Sequence, residues 1–142
     1  MADSKNGSGF SVEEKAAMKE RALELKASAK REDGEKALLA SFEKLSGLDR
    51  ELAERVHVLV AAAAPELAPK TYYGMPAWAL DDKTVVFFKP SGKFKERYST
   101  LGFEQAANID DGTMWPSSYA IIAALTPAQE MTITELVKKA VS

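Results

Sequence analysis

Hydrophobic and polar positions divide the chain into a helical first half and a β-rich second half, which meet at Lys70–Trp78. The residues before this stretch are rich in Ala, Glu and Lys, which favour helices. The residues after it, until Thr126, are much richer in β-branched and aromatic types than those before it, as is typical of strands. The pattern therefore predicts helices first, then a sheet, and then one last helix.

The N-terminal half begins with a polar stretch, Met1–Phe10, which we expect to be disordered. Ser11 and Glu14 have the spacing of a capping box, which predicts a helix that starts at Ser11 and runs to about Lys30. Arg31–Gly34 is predicted to break that helix. The apolar residues of the helix from Ser11 to about Lys30 form no single stripe. This helix is therefore either exposed and lightly packed on the domain, or a mobile arm for a partner.

Two more helices are predicted over Glu35–Leu45 and Asp49–Ala64, where apolar residues recur at helical spacing. Asp49 is the expected N-cap of the later helix. His57 lies one position beyond the apolar stripe of that helix. Because the chain has no Cys and no second His, we expect His57 to be a half-exposed surface residue and not a metal ligand.

Five runs of β-forming residues follow, and the N-cap Thr126 predicts a final helix that ends near Val141. Asp81-Asp82 is predicted to be a turn, and Pro116 interrupts the last run as in an edge strand. The fold class is α+β: an antiparallel sheet of about four or five strands with N-terminal helices and a C-terminal helix packed on it. The predicted strands are Lys70–Tyr73, Ala77–Leu80, Thr84–Lys89, Arg97–Phe103 and Thr113–Ala123.

The strand Thr84–Lys89 is apolar on both of its faces. Val85 and Phe87 share one face, and Val86 and Phe88 share the other. Such a strand is either central and covered on both sides, or it has one face that is a binding surface.

Composition limits the classes of protein and of site. The 142 residues suit one domain, which we place at 34–142, after a polar tail and charged helix at 1–33. The lack of Cys excludes disulfides, Cys-based zinc sites and thiol nucleophiles. A net charge of −2 disfavours nucleic-acid binding, and no apolar run is long enough for a membrane span. We therefore expect a soluble, cytoplasmic protein that binds neither nucleic acid nor membrane, with its oligomeric state left open.

Three segments, Ala68–Trp78, Val85–Phe88 and Gly112–Pro116, resemble the YdhG-like family of domains of unknown function. The similarity runs from about Leu38 to the C-terminus, and Tyr-Gly-Met-Pro followed by an aromatic residue is its most specific part. The resemblance implies a frataxin-like fold. It also implies iron as the ligand, since one branch is described as an iron chaperone that binds iron through surface carboxylates. The partners implied are iron–sulfur or haem assembly proteins.

Carboxylate pairs are the candidate metal ligands, because hard cations accept carboxylate oxygens and the family pattern assigns no individual ligand. The pairs are Asp81-Asp82, Asp110-Asp111 and Glu13-Glu14. Each pair has a purely structural role as the alternative: the Asp pairs are typical of turns, and the Glu pair suits the cap and dipole of a helix N-terminus.

Aromatic and sulfur-containing side chains near the predicted sheet form a second candidate site. If they share the sheet face away from the helices, they make an apolar patch for a small ligand, a protein partner or a second copy. If they face the helices, they are core. The residues of this ligand-binding patch are Tyr73, Met75, Trp78, Phe88, Tyr98 and Trp115.

The most basic segment, Lys89–Arg97, is a candidate anion site because Gly92 lies among its cations. Its spacing is not that of a phosphate-binding loop, so a solvated hairpin loop is the alternative. The cations are Lys89, Lys93, Lys95 and Arg97. No nucleophile lies in a motif with a base, and we expect a non-catalytic protein. Two functions fit: iron binding and delivery, or a small-molecule or protein-binding module that uses an aromatic sheet face.

Overall fold

A computed structural model describes residues 11–142, which fall into two compact units, one that ends at Glu32 and one that spans Asp33–Ser142. The predicted disordered tail, residues 1–10, lies outside the described residues. The first helix, α1, runs over Val12–Glu43. The predicted capping box is confirmed: the Ser11 N–H donates to Glu14 Oε1, and the Glu14 N–H donates to Ser11 Oγ, both at 3.1 Å.

The predicted helix break at Arg31–Gly34 is wrong, because α1 continues through it. Within the second unit, Gly34 lies so close to the Pro69 carbonyl oxygen that a Cβ at this position would overlap it. The glycine thus permits a close approach between helix and strand. Its helix-propensity cost, about 1 kcal/mol, is offset by burial of Leu38 and Phe42 farther along α1.

The second unit contains three more helices: α2 over Gly47–Ala63, α3 over Ser91–Phe94 and α4 over Pro127–Ala140. The predicted cap of α4 is confirmed, because Thr126 Oγ1 accepts from the Gln129 N–H at 3.2 Å. The predicted cap of α2 is wrong. Ser46 occupies the N-cap position, and the Asp49 side chain bonds to the segment between two strands instead.

The sheet is a five-stranded antiparallel meander in which strands that follow each other along the chain are neighbours in the sheet, so the predicted α+β class is confirmed. Tyr73 and Gly74 form the first turn and Asp81-Asp82 the second, all with positive φ. The last strand is shorter than predicted, since Pro116 and the residues before it do not pair. The strands are β1 Ala68–Tyr72, β2 Met75–Leu80, β3 Lys83–Lys89, β4 Ser99–Phe103 and β5 Ser118–Ile121.

One face of the sheet packs against the helices, and a bulge in β3 decides which residues lie there. Trp78 pairs with Val86, and Ala79 pairs with Thr84, so Val85 is an extra residue. Val85 and Val86 are therefore both in the core, with Phe88 beside them. The opposite face is called the outer face below, and register and alternation place these residues on it: Lys70, Tyr72, Met75, Ala77, Phe87, Lys89, Thr100, Gly102, Ser118 and Ala120.

Candidate functional site: a groove on the outer face of the sheet

A groove of about 710 Å³ lies on the outer face, between the strands and the segment that joins β3 to β4. The strands supply apolar surface and two hydroxyl groups to it. The joining segment supplies aromatic rings and charges. The lining residues are Met75, Phe87, Lys89, Phe94, Glu96, Arg97, Tyr98, Thr100 and Ser118.

Asp49 at the start of α2 holds the joining segment in place. Its carboxylate accepts hydrogen bonds from the Ser91 and Ser99 hydroxyls, both at 3.0 Å, and from the Gly92 N–H at 2.8 Å. Burial alone would raise the pKa of Asp49, but these hydrogen bonds outweigh it and lower the pKa. The carboxylate therefore stays charged and fixes the backbone from which Phe94 and Arg97 project.

A second attachment joins this segment to the turn between β1 and β2. Lys93 Nζ donates to the Gly74 carbonyl oxygen at 2.9 Å. Lys95 ends α3 in the left-handed conformation, and the Glu96 N–H then donates to the Ser91 carbonyl at 2.9 Å. The segment is thus anchored at its start by Asp49 and at its middle by Lys93.

The charged walls of the groove are built on aromatic rings. Lys89 Nζ lies 5.2 Å from the centre of the Phe94 ring and 2.9 Å from the Glu96 carboxylate. The Arg97 guanidinium lies 5.2 Å from the centre of the Tyr98 ring, a cation–π distance. Within residues 11–142, Arg97 has no salt-bridge partner. The groove therefore contains one cation neutralised by a carboxylate and one that is not.

The floor of the groove is flat because of a glycine. The Phe87 ring lies on Gly102, where a Cβ would overlap the ring. The Tyr72 ring is 6.0 Å away, and its hydroxyl donates to Glu104 at 2.8 Å. That hydrogen bond to a carboxylate raises the pKa of Tyr72. An aromatic surface thus extends from Tyr72 through Phe87 into the groove.

Comparison with protein-family models, curated proteins and solved structures finds no match to this chain. The likeness to the YdhG-like family stays a prediction from the residues quoted above. In the part of the chain that the structure describes, no helix combines the length and apolarity needed to cross a bilayer.

The structure separates the predicted ligand-binding patch into three environments. Met75 and Tyr98 line the groove. Trp78 and Phe88, at 1% and 0% exposure, face the helices and belong to the core, so they line no surface. Trp115 is partly buried against the core, and Tyr73, 83% exposed, lies on a turn outside the groove. Phe87 and Phe94 do line the groove but were not members of the predicted patch, although the face of Phe87 was one of the two candidate binding surfaces of its strand.

A sequence signal for Phe87 existed, since it lies on the opposite face of its strand from Phe88. Strict alternation places Val85 on the same face as Phe87. The bulge instead puts Val85 in the core, so the sequence pattern did not separate Phe87 from the core residues. Phe94 had no such signal, because its position depends on the short helix α3 and on the contacts of Asp49.

The predicted anion-binding set is likewise divided. Lys89 and Arg97 line the groove. Lys93 bonds to the Gly74 carbonyl, and Lys95 is exposed at the end of α3, so neither lines the groove. Two of the four predicted cations thus lie at the same site as two members of the predicted ligand patch.

The predicted metal ligands occupy turns and loops. Asp81 and Asp82 have the positive φ angles of the turn between β2 and β3, and Asp110 and Asp111 are exposed. Among residues 11–142, no three His, Cys, Asp or Glu side chains lie close enough together to hold a metal ion. Iron binding stays a prediction from the family resemblance and from the preference of hard cations for carboxylate oxygens.

His57 has a specific partner that the sequence pattern did not indicate. Its Nδ1 accepts a hydrogen bond from Trp78 Nε1 at 3.1 Å, and the two ring planes are 24° apart with their centres 6.0 Å from each other. Phe42 meets the imidazole edge-on at 5.9 Å. Burial lowers the pKa of His57, and nearby Glu35 opposes this shift. The imidazole is thus a neutral acceptor for a buried indole.

Proposed function

We propose that this protein is a non-catalytic binding module whose outer-face groove holds a small molecule. The single observation that supports this is the convergence of two separately predicted sets. Met75 and Tyr98 come from the aromatic patch, Lys89 and Arg97 come from the anion set, and all four line one groove.

The size and composition of the groove fit such a ligand. Its volume of about 710 Å³ lies within the range of roughly 300–1,000 Å³ that is usual for ligand pockets. Its walls combine apolar surface with a few polar groups that can orient a ligand, namely Lys89, Arg97, Thr100 and Ser118. A segment of a partner protein is the alternative occupant of the groove, and that alternative is favoured if small molecules leave the amides of the groove unshifted.

Amide chemical shifts of the full chain, recorded with mixtures of small aromatic molecules, test the proposal. We expect shifts to concentrate on amides that line the groove. Tyr98→Ala, which removes a lining ring, should weaken binding by about fivefold or more, as expected for loss of one aromatic contact. Tyr73→Ala is the matched control, since Tyr73 is exposed but lies outside the groove. Equal effects of the two variants, or shifts confined to another region, would contradict the proposal.

Iron binding and delivery, implied by the family resemblance, is tested separately. Ferrous iron added under anoxic conditions broadens the amide signals of residues close to a bound ion. Signals broadened at Asp81-Asp82 or Asp110-Asp111 at sub-millimolar iron would favour iron binding. Uniform, weak broadening across all amide signals would contradict specific iron binding.

A further inference from the structure

We infer that the ligand of the groove is a planar organic anion, with its ring on Phe87 and Tyr98 and its carboxylate or phosphate at Arg97. This inference rests on the proposed function and names the chemical class of the ligand. It depends on three features of the groove: its charge, the geometry of Arg97, and the flatness of its floor.

The charge of the groove favours an anion. Lys89 and Arg97 are the cations of its lining, and Glu96 is the acid. The Lys89–Glu96 salt bridge at 2.9 Å cancels one positive charge, which leaves that of Arg97. A ligand anion at Arg97 therefore gains an opposite charge without displacing a protein carboxylate.

Arg97 is also arranged to bind a two-oxygen group. Its guanidinium lies over Tyr98 at 5.2 Å, which holds the side chain while its N–H groups stay available around the rim. A guanidinium presents paired N–H donors that match the oxygens of a carboxylate or phosphate. Thr100 and Ser118 line the same groove on adjacent strands and add hydroxyl donors to the site.

The floor favours a planar ligand body. Phe87 lies on Gly102, so its ring is close to the sheet surface instead of projecting from it. Met75, which is buried, adds a thioether surface of the kind that packs well on aromatic rings. Phe94 and Tyr98 border this floor. Flat aromatic surfaces stack best with another flat ring.

Two probes of equal size and shape test the inference on the full chain: 2-naphthoate, an anion, and 2-naphthamide, its neutral counterpart. Affinities come from amide-shift titrations at low salt. We expect naphthoate to bind about fivefold more tightly than naphthamide, the size of effect usual for a solvent-exposed ion pair. Added salt should reduce the affinity for naphthoate and leave that for naphthamide unchanged.

Two variants assign the preference to Arg97. Arg97→Gln should lower the affinity for naphthoate to that for naphthamide. Lys95→Gln is the matched control. It removes the same charge from the same segment, and Lys95 does not line the groove. This variant should change the affinity for naphthoate and that for naphthamide by less than twofold. Both side chains are exposed, so both variants should keep the amide spectrum of the folded protein.

The outcomes separate the two proposals. Equal affinities for the two probes, with shifts at the groove, would overturn the anionic class and leave the binding function intact. No shifts at the groove with either probe would overturn the proposed function, which is small-molecule binding by the groove. A loss on Lys95→Gln as large as that on Arg97→Gln would show general charge attraction and would overturn the role of Arg97.

Discussion

At the scale of single residues, the buried indole N–H of Trp78 favours one protonation state of the His57 imidazole. Trp78 is 1% exposed, and its indole N–H needs an acceptor there. Nδ1 of His57 supplies that acceptor, which requires the ring proton to be on Nε2. A protonated imidazole has N–H groups at both positions and loses this bond.

The first prediction is that His57 makes stability depend on pH. Burial lowers the folded-state pKa of His57 below its unfolded value of about 6.5. Above about pH 6.5 the ring is neutral in both states. As the pH falls, the unfolded chain takes up the proton first, so stability is lost from there down to the folded pKa.

His57→Gln checks this, because the amide oxygen can accept from Trp78 and does not titrate. Urea unfolding at pH 7.5 and at pH 5.5 should show a smaller loss of free energy for the variant than for the wild type. The carboxylates with lowered pKa values, Asp49 and Glu130, titrate at more acidic pH and do not obscure this window. The same loss in both proteins would contradict the prediction.

Gly102 is the residue on which the flat floor depends. Gly102→Ala should cost about 1–3 kcal/mol, because the new Cβ overlaps the Phe87 ring and forces it outward. The double variant with Phe87→Ala removes the overlap, so its cost should be smaller than the sum of the two single costs. Urea unfolding of all four proteins measures this coupling, and additive costs would show that the ring is not the obstacle.

At the scale of elements, the segment between β3 and β4 takes its shape from a residue on another element. Neither α3, a four-residue helix, nor the turn after it has enough local hydrogen bonding to be stable alone. Asp49, on α2, supplies the missing hydrogen-bond acceptors. The Ser99 hydroxyl, on a residue that is 2% exposed, donates to Asp49 and accepts a hydrogen bond from the Ser91 N–H at 3.0 Å. The groove wall is therefore a tertiary feature.

Asp49→Asn should destabilise the protein by about 1–3 kcal/mol, since one carboxylate oxygen that accepts a hydrogen bond becomes a donor. Amide shifts of residues 91–99 should change most. Asp110→Asn is the control, because Asp110 lies in an exposed loop. Unfolding by urea at pH 7 gives both free energies, and equal values would show that the Asp49 contacts contribute little.

At the scale of the whole molecule, the described chain forms two compact units although α1 runs through both. The buried residues of α1, Leu38 and Phe42, both lie in the second unit. Gly34, the residue that approaches the Pro69 carbonyl, lies there too. The features that integrate α1 with the sheet are thus found after residue 33.

We therefore predict that residues 33–142 fold without the first 32. In the shorter chain Asp33 can act as the N-cap of the remaining helix. The free energy of unfolding, followed by Trp fluorescence, should fall by less than about 1 kcal/mol, because residues 11–32, the described part of the removed segment, are all exposed. Non-cooperative unfolding of the shorter chain would show that the first unit is needed.

Local sequence by itself determined the parts of this protein that depend on near neighbours along the chain. The caps at Ser11 and Thr126, the Asp81-Asp82 turn and the α+β order of elements are of this kind, since each involves residues a few positions apart. These features were predictable because capping, turn formation and periodicity are short-range effects.

Only the tertiary structure decided which apolar residues are core and which line the groove. The bulge at Val85 altered the alternation of β3. Gly34 lies inside a continuous helix and packs against the Pro69 carbonyl instead of ending that helix. Asp49 accepts a hydrogen bond from Gly92 instead of capping α2. Each of these outcomes depends on a contact between residues far apart in the sequence. Such contacts exist only once the sheet and helices have packed, and for that reason the groove was not visible in the pattern of the chain.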